Sequence, residues 1–394
     1  MLMVFCPFAA GYYLSYFYRY VNAVIAKDLV ADFGLVPADL GLLTSAYFLA
    51  FAATQLPLGV LLDRYGPRRC TAALFCVAAV GALTFSFARD LTQLSVGRAL
   101  IGLGVSAGLM GSLKAFTLWF PREQLVRLSG WMIGVGSVGT LSATAPVEAL
   151  LGPFGWRAVF MGLSALSLGA ALLIFLVVPE RALPRHAESW SDQLRVVGRI
   201  FARADFWRLA LPLVLCQGTF QSLQGLWFAP WLADVHGLER GAIANYLLAS
   251  AVAYMVASFA LGAVAEALGS PLRLYQIGTL VAAAAFVPLA LGTEGVMVFL
   301  PLFAATSIAT ISSYTLLTQL VPAAQSGRVT TASNLLMFAV AFCFQWGVGA
   351  ILGLWPSAGG RYDPAGYRVA FGILLAAQAA AAAWLLTAKE ARAT

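Results

Sequence analysis

The chain has 394 residues, of which 61% are hydrophobic and 10% charged, where about 25% charged is ordinary for a soluble domain. A soluble globule of this size cannot hide so much apolar surface from water, and the disordered and collagenous classes fail on the same numbers. The net charge of +7 is distributed by topology and does not mark a nucleic-acid partner.

Apolar runs long enough to cross a bilayer, roughly 20 residues each, recur twelve times. They lie near 3–25, 40–62, 70–88, 92–118, 128–150, 156–178, 208–232, 242–265, 272–292, 296–320, 328–352 and 367–388. The first run begins without a basic region or a small-residue cleavage site, so it is expected to be a span and not a cleaved leader. Five Cys lie in or beside apolar runs, and only two His, His186 and His236, are present. This excludes a disulfide framework and a CxxC or HExxH metal site, and no cofactor is expected.

The first span carries Tyr12, Tyr16 and Arg19 at i, i+4 and i+7, with Asn22 one turn further on. These positions share one helix face. A guanidinium among tyrosines suits bidentate binding of a carboxylate or phosphate; the alternative is an arginine snorkelling to the outer interface. After the second span comes Gly59-Val-Leu-Leu-Asp63-Arg64-Tyr-Gly66-Pro67-Arg68-Arg69. Its glycines permit close helix approach and a tight turn, and Asp63 can accept from loop arginines or from a helix N-terminus. The fourth span holds Leu94-Ser-Val-Gly97-Arg98 through Gly104, then Lys114 ahead of Trp119, Phe120 and Pro121. Lys114 is either a second cation for the same anion or a snorkelling lysine. Gly130, Gly134, Gly136 and Gly139 in the fifth span have spacing suited to close packing.

The long connection 179–207 contains Pro179, Pro184 and an amphipathic stretch, with Leu194, Val197, Ile200 and Phe201 on one helical face. That pattern suits a helix lying on a membrane surface. It divides the chain into 1–178, a linker 179–207, and 208–394. Beyond it, the seventh span places Gln217, Gln221, Gln224, Phe228 and Trp231 on one face, expected to line a cavity. Ser307, Thr310 and Tyr314 in the tenth span, and Asn334 and Gln345 in the eleventh, add neutral polar groups.

The two parts repeat each other. At an offset of 203, Gly59, Asp63 and Gly66 match Gly262, Glu266 and Gly269; at 201, Pro121, Gln124 and Arg127 match Pro322, Gln325 and Arg328. Gly155-Trp156-Arg157 matches Gly366-Tyr367-Arg368. By this repeat, Asp63 near the start of the eleventh span and Glu266 near the start of the fifth are expected to form two pseudo-symmetric latches, with Arg328 and Arg127. The alternative is that these residues only fix topology and loop shape. Loops on one side hold 15 of the 24 Lys and Arg, those on the other 6. The positive-inside rule therefore puts both termini and the linker in the cytoplasm.

The segment Gly59–Arg69 resembles the major facilitator superfamily signature GxLxDRxGRR, and Leu94–Gly104 is similar to that superfamily's second motif. The first span looks like that of its organophosphate/organic-anion branch, whose Tyr-Leu-x-Arg-x-Asn segment carries a substrate arginine. The resemblance covers essentially the whole chain. It implies an all-α polytopic inner-membrane protein of 12 transmembrane helices in two parallel six-helix repeats, with a substrate site near the midplane between them. It further implies a secondary active transporter, working as a single chain by alternating access, with no enzymatic activity. Arg19, Tyr12, Tyr16 and Lys114, with Gln217, Gln221, Gln224, Tyr314 and Gln345, are the expected substrate contacts. Gly59, Asp63, Arg64, Gly66, Arg98, Arg127, Glu266 and Arg328 are the expected conformational residues.

The repeat position of Arg19 in the seventh span is Ser222, so the charge is not duplicated; the branch it resembles usually has a basic partner there, and the absence of one favours a monovalent anion or one with a large neutral body. All 17 acids fall in loops or at span ends, with Glu148 the most embedded. No mid-span carboxylate is available to carry a proton or meet a cationic drug. A coupling proton or counter-anion completes the expected partners. Export of an amphipathic or aromatic compound, and a non-transporting ligand sensor, are the competing readings.

Overall fold

The computed structural model describes residues 2–181, 190–321, 326–357 and 361–388. Pro184, His186, Pro322, Gln325, Lys389 and Arg392 lie outside the described residues, as do the side chains of Arg122 and Leu194. The chain divides into two compact units, Met1–Gln193 and Leu194–Thr394.

The first unit contains α1 (Leu2–Phe33), α2 (Pro37–Ser86), α3 (Leu91–Val105), α4 (Ala107–Trp119), α5 (Arg122–Ser142) and α6 (Ala145–Val177). Helix α7 (Trp190–Phe201) leads into the second. That unit continues with α8 (Ala204–Ser222), a π-helical turn Leu223–Trp227, α9 (Phe228–His236), α10 (Arg240–Leu268), α11 (Pro271–Leu291) and α12 (Val296–Ser307). A 3₁₀ turn at Ile308–Ser312, α13 (Ser313–Gln319), α14 (Ser326–Leu352) and α15 (Pro364–Leu386) complete it. Proline opens α2, α11 and α15, where its missing N–H costs no helical bond. Asp90, Ser270 and Asp363 cap α3, α11 and α15 by accepting from backbone amides.

Among the described residues, eight helices are long and apolar enough to cross a membrane. Two of them carry a glycine kink. Gly66 in α2 (φ 79°) and Gly155 in α6 (φ 71°) leave the helical region for one residue, a conformation that a Cβ would strain. Large apolar side chains such as Phe154, Leu166, Leu176 and Phe259 stand exposed on the surface, as suits contact with lipid.

Inside each unit the core is aromatic. Phe85 stacks on Phe160 at 4.3 Å in the first. In the second, Phe286 lies 4.9 Å from Phe303 and 5.8 Å from Phe371. Helix α5 reaches α1 through glycine: a Cβ on Gly136 would meet the rings of Tyr12 and Tyr16, and one on Gly139 the carbonyl of Tyr13. Gly130, on the same helix, has nothing near it. The glycine spacing in α5 therefore serves packing only over its second half. Helix α7 has Val196, Val197 and Ile200 buried, and Phe201 packs on Phe206 and Trp207. Of the apolar face expected to rest on a membrane surface, Val197 and Ile200 are buried by protein and Phe201 is half-buried.

Polar contacts tie α1 to α6 in the first unit, and α8 and α9 to α15 in the second. Tyr18 Oη and Ser167 Oγ lie 2.9 Å apart in the first unit, and Gln378 Nε2 donates to Thr219 Oγ1 at 3.1 Å in the second. At the helix end, Asp32 accepts from the Trp156 indole at 2.9 Å and from Arg157 at 2.8 Å. Its counterpart Asp234 accepts from the Tyr367 hydroxyl at 2.8 Å. Helix α3 gives way to α4 at Ser106, and α12 to the 3₁₀ turn at Ser307; each serine hydroxyl bonds a carbonyl three residues back.

Both the helix-end tie and the glycine contacts of α5 can be tested by substitution. The Trp156 indole, then Arg157, holds the Asp32 carboxyl below its usual range. The stability this confers is present above the unfolded carboxylate value of about 4 and is lost as pH falls through the folded value. Since the pair is about half exposed, Asp32→Asn should cost about 0.5–1 kcal/mol at neutral pH. The gap in melting temperature from wild type should close as the medium is acidified. In α5, Gly139→Ala should destabilise by about 1–3 kcal/mol through overpacking. Gly130→Ala should instead stabilise by up to about 1 kcal/mol through helix propensity. Thermal unfolding of the two variants gives opposite signs.

Candidate functional site

The first unit builds a buried cationic site on α1. Arg19 lies near the middle of a 32-residue helix and is 6% exposed. Its guanidinium carbon stands 4.4 Å from the centre of the Tyr16 ring and 5.5 Å from that of Phe51. Tyr20 is buried next to it in the chain, and Tyr12 packs edge-on against Tyr16 at 5.0 Å. Tyr47, fully buried on α2, closes the group and donates to the Ser15 carbonyl at 3.1 Å. Asn22, one turn along, donates weakly to Thr44, and its Oδ1 has no partner among the described residues. The structure thus brings Tyr12, Tyr16 and Arg19 together and adds Tyr20, Tyr47 and Phe51. Tyr20 was readable beside Arg19; Tyr47 and Phe51 sit in an apolar run that offered no signal.

Lys114 is placed elsewhere. Its ammonium lies 2.6 Å from Asp63, each side chain about one-third exposed. The sequence offered a second substrate cation or a snorkelling lysine, and an ion pair with the Asp of the loop motif was missed. The missing signal was tertiary: α2 and α4 meet at positions 51 residues apart. Arg98 is 1% exposed, donates to the Tyr18 carbonyl at 3.0 Å and stands over the Tyr47 ring at 5.0 Å. It therefore packs against the back of the same aromatic group.

The remaining conformational candidates lie around the kink of α2 and near the ends of α5, α10 and α14. Gly59 is half-buried on α2, and Arg64 is exposed with its guanidinium over the Tyr65 ring. Gly66 makes the kink in α2. Arg127 is exposed over the Trp131 ring at 5.2 Å. Glu266 is exposed in the last turn of α10, and Arg328 is half-buried in the first turn of α14. Gly269, the repeat partner of Gly66, likewise has positive φ, at 64°.

The second unit builds a neutral polar site. Gln217, Gln221, Gln224 and Gln345 are all buried to 3% exposure or less. Gln217 is used in packing: its Nε2 donates to the Ser307 carbonyl at 2.9 Å and to Thr310 at 3.2 Å. Gln224 donates to the Leu247 carbonyl of α10 at 3.0 Å, and Tyr314 bonds Asn334 at 2.5 Å. Gln221 Oε1, Gln224 Oε1, Ser222 Oγ and both amide atoms of Gln345 find no partner among the described residues. Each such buried atom costs about 1–3 kcal/mol. The π-helical turn at Leu223–Trp227 carries Gln224 and joins α8, which carries Gln217 and Gln221, to α9; such turns are frequent at functional sites. Its extra residue rotates the chain by about 100°. Phe228 and Trp231, expected on the cavity face, instead pack on Phe371 in the core of the unit.

Among known proteins, the probable sulfoacetate transporter of Cupriavidus necator is 28% identical to the chain over 188 residues, covering 48% of this chain and 43% of that protein. The hexuronate transporter of Escherichia coli K12 is 26% identical over 255 residues, covering 60% and 58%. The matched stretch thus spans less than two-thirds of either relative. Among solved structures the chain is similar to a bacterial homologue of the human lysosomal transporter Spinster in an inward-facing, unoccupied conformation. There the TM-score is 0.76 at 19% identity, over 97% of this chain and 95% of that one, which speaks for the fold alone. The family model of the Major Facilitator Superfamily matches residues 8–345, and the chain belongs to that superfamily of membrane transporters.

Proposed function

We propose that the protein is a secondary active transporter that carries a small organic anion of carboxylate type across the inner membrane by alternating access. The observation that carries this reading is Arg19, 6% exposed in the middle of an apolar helix. An arginine does not give up its proton in a protein, and burying its charge costs several kcal/mol. A site that tolerates this cost among tyrosine rings gains most when an anion is bound. Relatives named for sulfoacetate and hexuronate agree with such a substrate.

Arg19 is the anion anchor, with Tyr12, Tyr16, Tyr20 and Tyr47 shaping the site around it. Gln221, Gln224 and Gln345 bind the neutral part of the substrate through amide atoms that lack partners among the described residues. Lys114 serves as the partner of Asp63 in this account and belongs with Gly59, Arg64, Gly66, Arg98, Arg127, Glu266 and Arg328 among the conformational residues. Twelve crossings in two repeated six-helix parts, 1–178 and 208–394, fit the glycine kinks in α2 and α6 and the ties of α1 to α6 and of α8 and α9 to α15. The excess of Lys and Arg on one side orients both termini to the cytoplasm. Coupling is to a proton or by exchange with a counter-anion, and the chain works alone.

The test is thermal stability of the purified chain against monocarboxylates, dicarboxylates, organophosphates, zwitterions and amphipathic cations, for wild type and Arg19→Gln. A ligand at 100 times its dissociation constant stabilises by about 2.7 kcal/mol. Carboxylates should shift wild type and leave Arg19→Gln unmoved. A shift by amphipathic cations or neutral compounds alone, equal in both proteins, would replace this reading with export of amphipathic compounds.

A further inference from the structure

A second basic site lies in the first unit, away from Arg19. Where α2 kinks, a cavity of about 380 Å³ is lined by Arg64, Arg68, Arg69, Arg181, Glu180 and Trp119, among others. Four arginines face one glutamate. The kink at Gly66 makes the arrangement: with φ at 79° it turns the chain sharply, and Pro67 restarts the helix so that Arg68 and Arg69 come directly after it.

Two of the guanidiniums are anchored to backbone carbonyls, and Arg68 also to a ring. Arg68 Nε donates to the Phe175 carbonyl at 2.8 Å, and its carbon stands 4.9 Å from the Phe175 ring. Arg181 donates to the Leu118 carbonyl. Arg68 also approaches Glu180 at 3.5 Å, and Arg69 forms an ion pair with the same carboxylate. Glu180 is 55% and Arg69 60% exposed. Ion pairs that open to solvent are worth little and exchange readily. A carboxylate held by two arginines has the geometry and sign of an anionic ligand, and a phosphate offers more oxygens and more charge to the same forks.

We propose that this pocket binds the phosphate group of an anionic ligand, and that Glu180 is an internal carboxylate which occupies the same arginines until phosphate displaces it. The chemistry required is a phosphate with net negative charge. It is available from an anionic phospholipid headgroup, which the position of Trp119 at the end of an apolar helix would suit, or from a soluble phosphate.

The full-length purified chain tests this, as wild type, Arg69→Gln, Arg64→Gln, Glu180→Gln and, for comparison, Arg361→Gln. One arm counts lipids retained in native mass spectra after reconstitution in phosphatidylcholine with or without phosphatidylglycerol. The other titrates inorganic phosphate and pyrophosphate against melting temperature in detergent. Arg69→Gln and Arg64→Gln should each weaken binding about fivefold, corresponding to about 1 kcal/mol per arginine near a membrane surface. Glu180→Gln should strengthen it by a similar factor, Arg361→Gln should change nothing, and the whole pattern should persist in Arg19→Gln. Retention of phosphatidylglycerol alone assigns the site to a headgroup; a response to soluble phosphates alone assigns it to a soluble ligand. Weaker or unchanged binding in Glu180→Gln, or no preference for either anionic phosphate over phosphatidylcholine, would overturn the proposal. So would loss of the response in Arg19→Gln, which would move the phosphate to the other site.

Discussion

A guanidinium cannot shed its charge, and a helix interior built of apolar residues cannot solvate one. The first unit is arranged around that conflict. Arg19 is surrounded by rings whose faces are electronegative, supplied by Tyr16 on its own helix and by Phe51 on α2. Those rings are in turn held from behind. Tyr47 donates to the Ser15 carbonyl, and Arg98 lies over Tyr47 while bonding the Tyr18 carbonyl. Helix α5 closes on Tyr12, Tyr13 and Tyr16 only because Gly136 and Gly139 have no side chains. The position of one cation therefore depends on two glycines, a second arginine and an aromatic layer.

The second unit answers a milder version of the same problem. Its polar groups are neutral amides, cheaper to bury than a charge but still costly when unpaired. Part of the stripe is spent on the fold: Gln217 holds the 3₁₀ turn after α12, and Gln224 holds α10. What remains, in Gln221, Ser222 and Gln345, is hydrogen-bonding capacity that no described residue uses. The first unit thus holds a buried charge and the second holds buried neutral donors and acceptors.

Much of this was legible in the sequence because polar residues are scarce in it and each therefore stands out. Arg19 with Tyr12 and Tyr16 on one helix face was such a signal, as was the run of glutamines in α8. Rare residues also stood out in pairs: Asp32 accepts from Trp156, and Asp234 accepts from Tyr367. What was hidden depends on tertiary approach. Nothing local links Lys114 to Asp63, and Tyr47 looks like any other aromatic in an apolar helix. Nor does helical periodicity announce a π turn such as the one at Leu223–Trp227, directly before Phe228.

The central claim is that Arg19 anchors an anion that the protein carries. It is tested most directly by counterflow of a labelled carboxylate in proteoliposomes preloaded with the same unlabelled anion, comparing wild type with Arg19→Gln reconstituted to equal density. The account predicts transient accumulation of label by wild type and none above empty vesicles by Arg19→Gln, with Arg361→Gln indistinguishable from wild type. Equal accumulation by Arg19→Gln and wild type would contradict it.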